Sequence, residues 1–175
     1  MEGDDLTMKD EWSLSREIVP VATPVPQPSA GSDWSLTVPA GVVWSVQTIT
    51  AKLVTSSAVA NRIPNLTITV NGVVAYNGMC TATVPGSSNW LASWARGVGT
   101  DSEGGTYRNA IMTFPIIALP PQSIISMSTY NIQTGDQWSN IAIYSLESRM
   151  RRVDAESAEL GRFNNAIDSK LLHGW

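Results

Sequence analysis

The sequence predicts an all-β chain: an antiparallel two-sheet β-sandwich, jelly-roll-like, of about eight strands, with an extended N-terminal arm and a C-terminal helix. From Trp34 onward, apolar and polar residues alternate with period two over short runs, the pattern of half-buried strands. Thirteen Gly and ten Pro punctuate the chain while charge falls to 15%, a composition that excludes coiled coils and long helices for most of its length. Two long crossings, near 56–64 and 85–110, separate the hairpins, which suits a two-sheet arrangement better than a simple meander. With 175 residues, 43% of them apolar, the chain is of a size for one compact domain.

The first zone, residues 1–33, reads as an acidic, Pro-rich arm. Up to Trp34 the acids Glu2, Asp4, Asp5, Asp10, Glu11, Glu17 and Asp33 face only Lys9 and Arg16. Pro20, Pro24, Pro26 and Pro28 remove backbone donors and set an extended path, which excludes a central strand. The arm also holds Trp12, Leu14, Ile18, Val19, Val21 and Val25, more apolar surface than a solvated linker usually shows. Two readings stand: a flexible tail, or a strap along its own domain or a neighbouring subunit.

The domain itself is expected over 34–147. A first strand at 34–38 closes with Pro39-Ala40-Gly41, and a second runs over 42–55, rich in β-branched residues. Leu66 to Val70 alternates strictly into Asn71-Gly72, a strong hairpin signal because both central residues of a type I′ turn need positive φ. A second Asn-Gly, at 77–78, predicts another turn and a strand over 79–84. Residues 85–110, rich in Gly and Ser, read as a long functional or assembly connection. Strands are expected again at 111–117, where Pro115 demotes the run to an edge, at 123–130 and at 140–146. From 148 to 175, Met150, Val153, Leu160, Phe163, Ile167 and Leu171 recur at helical spacings, predicting an amphipathic helix and tail.

Composition narrows the function. A net charge of −4 offers no basic surplus for a phosphate backbone, so nucleic acid is not the expected partner. No run reaches the ~18 apolar residues of a membrane span, and the acidic N-terminus is unlike a secretory signal; the chain reads as soluble and intracellular at synthesis. The single Cys80 forms neither an internal disulfide nor a thiolate cage and reads as a buried, inert thiol. His173, the only histidine, lies at the chain end, away from any core position for a catalytic base. The domain's acids, Asp101, Glu103 and Asp136, do not make a recognisable carboxylate pair or calcium loop, and the glycines at 97–105 do not follow a phosphate-binding spacing. No catalytic residue, metal, cofactor or small-molecule substrate is therefore expected.

The seven tryptophans are the unusual feature. Trp34 and Trp44 read as core plugs. Trp90 and Trp94 with Tyr107, in the long connection, read as contact surface or, in a carbohydrate-binding module, as a platform for sugar rings. On the same reasoning Trp12, Ile18 and Val21 on the arm, and Phe163, Ile167, Leu171 and Trp175 at the C-terminal end, are interface candidates.

Several short runs together carry a resemblance. They are Trp34 to Trp44 with its Val-Pro-Ala-Gly, Val59-Ala60-Asn61-Arg62, Leu119-Pro120-Pro121 and Gly135-Asp136-Gln137-Trp138. Over about residues 34–147 the chain resembles small β-sandwich virion structural proteins of tailed bacteriophages. The resemblance implies a capsid cement (decoration) protein or, alternatively, a neck or tail component. Such a protein is made in the host cytoplasm and binds the major capsid protein or other virion proteins without catalysis. A homo-oligomer is expected, a trimer favoured, with the two arms reaching neighbouring subunits.

Overall fold

The structure, a computed structural model, describes the backbone of residues 13–80, 83–99, 101–102 and 107–153, with side chains over 17–80, 83–99 and 109–149. It is all-β, with eleven strands in two sheets and no helix among the described residues. The strands are β1 (Ser13–Pro24), β2 (Ser35–Thr37), β3 (Val42–Val54), β4 (Ile63–Val70), β5 (Val73–Met79) and β6 (Asn89–Arg96). They continue as β7 (Asp101–Ser102), β8 (Tyr107–Phe114), β9 (Ala118–Leu119), β10 (Ile124–Tyr130) and β11 (Gln137–Val153). The seven-stranded sheet runs β1-β11-β3-β6-β8-β7 with β9 also on β3; the four-stranded sheet runs β2-β10-β4-β5.

One compact unit spans Ile18–Arg149. A second, Met1–Glu17 with Met150–Trp175, is described only at the strand backbone of 13–17 and 150–153. Within the first unit both sheets feed one apolar cluster. Trp44, Ile49 and Leu53 of β3, Trp90 and Trp94 of β6, Phe114 of β8 and Trp138 and Ile143 of β11 meet Leu66 and Ile68 of β4 and Ile125 of β10 there. Each of these strands sends alternate residues inward, so the period-two pattern is the direct cause of the core.

The hairpin at Asn71-Gly72 has φ of 50° and 78°, the positive pair a type I′ turn requires, and joins β4 to β5. The second Asn-Gly does not turn. Asn77 and Gly78 lie inside β5, paired with Thr67 and Leu66, and the expected separate strand at 79–84 is absent among the described residues. The glycine has another use: a side chain at 78 would collide with the Tyr76 ring, which lies across that position.

The connection expected over 85–110 holds β6 and the start of β8. These two strands pair in parallel, Asn89 with Tyr107 through Arg96 with Phe114, a departure from the purely antiparallel expectation. Residues expected in the arm form β1, an edge strand with β11 on one side, so Pro20 and Pro24 interrupt no interior ladder. The predicted boundary at 33/34 lies inside the compact unit: Val25 N–H donates to Ile141 O at 2.9 Å, and Asp33 accepts from Thr129. At the other end, 148–153 extends β11 as strand where a helix was expected; the rest of that segment, 154–175, lies outside the described residues.

Candidate assembly surface

The four-stranded sheet contains no charged side chain on any of its strands. Because strand side chains alternate, Leu66, Ile68, Ile125 and Met127 face the core and their neighbours face outward. The register sets Thr37, Ile124, Thr69 and Val74 in one outward row and Ser35, Ser126, Thr67 and Asn77 in the next. Ile124 is 40% exposed, Tyr130 67%, Val74 57% and Met79 66%. The result is an outer face of Thr, Ser, Asn and apolar residues with no charge to desolvate, which lowers the cost of covering it with protein.

Two loops at one end of the sheets are pinned by a buried clasp. Arg62 and Asp136 are both fully buried: Nε donates to Oδ2 at 2.8 Å and Nη2 to Oδ1 at 2.9 Å. The remaining guanidinium protons go to Ala58 O (2.9 Å), Ala60 O (2.7 Å) and Ser56 Oγ (3.2 Å). Asp136 also accepts from the Ser56 and Gln133 amides, each at 2.8 Å, and from Ser56 Oγ at 2.9 Å. Burial alone would raise the Asp136 carboxyl, but the Arg62 guanidinium, the two amides and the hydroxyl outweigh it and hold the group below its ordinary value. A carboxylate so fully engaged has no lone pair left to act as acid, base or metal ligand.

Buried Glu147 and half-buried Asp33 are similarly occupied. Glu147 takes the Trp44 indole N–H on Oε2 at 2.9 Å and pairs with Arg149, and these donors, that of Trp44 foremost, hold it below its ordinary value against the opposing effect of burial. Asp33 accepts from Thr129 N (2.8 Å), Thr129 Oγ1 (2.5 Å) and Trp138 Nε1 (3.1 Å), tying the end of the N-terminal segment to β10 and β11. Among the described residues no three His, Cys, Asp or Glu side chains gather as a metal site would need.

The sequence-predicted interface residues divide. Ile18, on β1, is 59% exposed, and Val21 is half-buried. Val21 lines a shallow groove of about 280 Å³ with Pro20, Ala22, Gln47, Tyr144, Ser145 and Leu146. Trp90 and Trp94 are 1% and 0% exposed, so the two rings expected as contact surface or sugar platform are core. They pack edge-to-face at 6.4 Å because β6 points both inward. Tyr107 opens β8, and its side chain, like Trp12, Phe163, Ile167, Leu171 and Trp175, lies outside the described residues. Cys80 is buried. The surface residues that sequence reasoning passed over are Val73, Val74, Met79, Ile124 and Tyr130. Most of that sheet could have been found from residues 63–95, which contain no Asp, Glu, Lys, Arg or His.

No family model and no curated protein matches the chain. Among solved structures, one described as the structure of PfGH50B is similar at 11% identity and TM-score 0.31, over 79% of this chain and 23% of that one. Two of infectious bursal disease virus are similar as well. The Gt strain gives 8% identity and TM-score 0.27 over 90% of this chain and 48% of that one; the Gx strain gives 12% and 0.25 over 97% and 52%. The chain thus spans about half the length, or less, of each of these three solved chains. Likenesses this distant carry no functional argument.

Proposed function

We propose that the chain is a non-enzymatic structural protein of a tailed-bacteriophage virion. In this reading its two sheets stack as a jelly-roll-like β-sandwich that binds the capsid surface and cements the shell as part of a homo-oligomer. The supporting observation is the charge-free outer face of the four-stranded sheet, a surface cheap to cover with protein. Three acids have structural work that agrees with it: Asp33, Asp136 and Glu147 each hold separate segments together through hydrogen bonds. A neck or tail position would use the same face. Of the three rings the sugar-binding alternative would use, Trp90 and Trp94 are buried, which counts against it.

The test is co-sedimentation of the full-length chain with particles of its phage assembled without it. Retention on the particles at a fixed stoichiometry, lost when Ile124→Lys or Tyr130→Lys places a charge on the face, is the expected result. A chain that stays in the supernatant, or binds equally well with both lysines, would overturn the reading.

A further inference from the structure

We propose that β5 is the edge through which two copies of this chain join, antiparallel and about a two-fold axis, into a sheet continuous across both. The inference rests on the assembly reading above and names the partner.

A sheet ends in a row of unpaired N–H and C=O groups that another strand can complete, and proteins usually blunt such ends. Three of the four sheet ends here are blunted. β1 carries Pro20 and Pro24, β2 has three residues, and β7 has two. β5 is longer than β2 and β7: seven residues, Val-Val-Ala-Tyr-Asn-Gly-Met, with neither proline nor charge, and with one register shift at Ala75, between the Ile68–Tyr76 and Thr69–Val74 pairs, that leaves 76–79 in regular pairing. Among the described residues it pairs with β4 alone. Val73 is 69% exposed, Val74 57% and Met79 66%. The strand is nonetheless anchored from below. The Tyr76 ring packs on Phe114 with centroids 5.5 Å apart, and its hydroxyl donates to Thr113 O at 2.8 Å. An edge held in place has already met the ordering cost that weakens association of floppy strands.

The occupant is a second copy because this edge complements itself. A charged strand from another protein would bury its charge beside β5 with no opposite charge to meet it. Two β5 strands run antiparallel bring Val73 and Val74 of one copy to the Met79 end of the other, apolar against apolar. The contact is isologous, the same patch on both partners, as two-fold symmetry requires. A three-fold ring would instead need β5 to meet a different edge, and the other end of its sheet is the three-residue β2. The pairing therefore takes the place of the trimer that the sequence favours.

The deciding experiment is sedimentation velocity of the full chain over a dilution series, with hydrogen exchange read by mass spectrometry at each concentration. A dimer is expected, with amides of 73–79 protected at high concentration and exchanging faster on dilution. Val74→Lys sets a charge against the uncharged Met79 end of the partner strand, where no acid meets it, and should weaken the dimer about tenfold or more. Val59→Lys, on a fully exposed loop residue, should leave it unchanged. A chain that remains monomeric at about 100 µM, or a dimer whose 73–79 amides exchange alike at all concentrations, would overturn the pairing. Should Val74→Lys fail to fold, the wild-type dilution series decides alone. Particle binding with an unprotected β5 would overturn the pairing and spare the assembly reading; a protected β5 without particle binding would do the reverse.

Discussion

Arg62 and Asp136 lie 74 positions apart, yet every donor of one and both oxygens of the other are spoken for. Removing one partner leaves a buried charge uncompensated, so Arg62→Ala should destabilise the protein by about 3–5 kcal/mol in urea denaturation. The pair also shapes the acid limb of stability. The Asp136 and Glu147 carboxyls sit below their ordinary values of 3.8 and 4.5 when folded. Their contribution is thus complete above those values and is lost as pH falls through the lower folded-state ones. The urea midpoint should drop between about pH 4 and pH 2, and the drop should be shallower in Asp136→Asn. An equal slope in both proteins would refute that assignment. Two tryptophans offer a matched comparison. Trp44 donates to buried Glu147, whereas the buried Trp94 indole N–H has no partner. Trp44→Phe should cost about 1–3 kcal/mol more than Trp94→Phe, since the volume lost is the same and only one change strands an acceptor.

Turns and strands show how far local chemistry reaches. At Gly72, φ is +78° with open space where a side chain would point, so Gly72→Ala should cost about 1 kcal/mol through backbone strain alone. At Gly31, φ is +74° and a Cβ would lie 2.8 Å from the Thr134 backbone, so Gly31→Ala should cost clearly more. Thermal melts of the two variants check the order. Asn71-Gly72, β3 and β10 were legible because short-range pattern decides them. Asn77-Gly78 carries the same dipeptide, but pairing with β4 overrides it, and the glycine there leaves room for the Tyr76 ring. β6 was hidden differently. Trp90, Ala92 and Trp94 alternate inward, yet the Gly-Ser flanks and the exposed Leu91 gave the run the look of a loop, and a parallel partner leaves no hairpin turn to betray it. The clasp could not be read from either of its halves: Asn61-Arg62 and Gly135-Asp136 stood out singly in the sequence, and only the fold shows that they meet.

At the scale of the molecule, every member of the apolar cluster falls between Val25 and Ile143. A fragment of residues 18–149 should therefore melt cooperatively, whereas one of 34–147 lacks β1, Val25 and Asp33 and should be markedly less stable. Circular dichroism melts of the pair check this; similar melting temperatures would show that 18–33 adds nothing to the fold. The charge-free sheet explains why that boundary was hard to place, since the acidic arm looked separate only against a domain almost free of charge. The tryptophan cluster has an optical consequence. Trp90 stands 6.4 Å from Trp94 and 6.1 Å from Trp138, edge-to-face with each, so the three indoles absorb as a coupled set rather than as separate chromophores. Their near-ultraviolet dichroism should be strong and should vanish whenever side-chain packing loosens, even with the strands intact. The protein carries its own unlabelled reporter, silent to events on the surface and sensitive to whether the core stays shut.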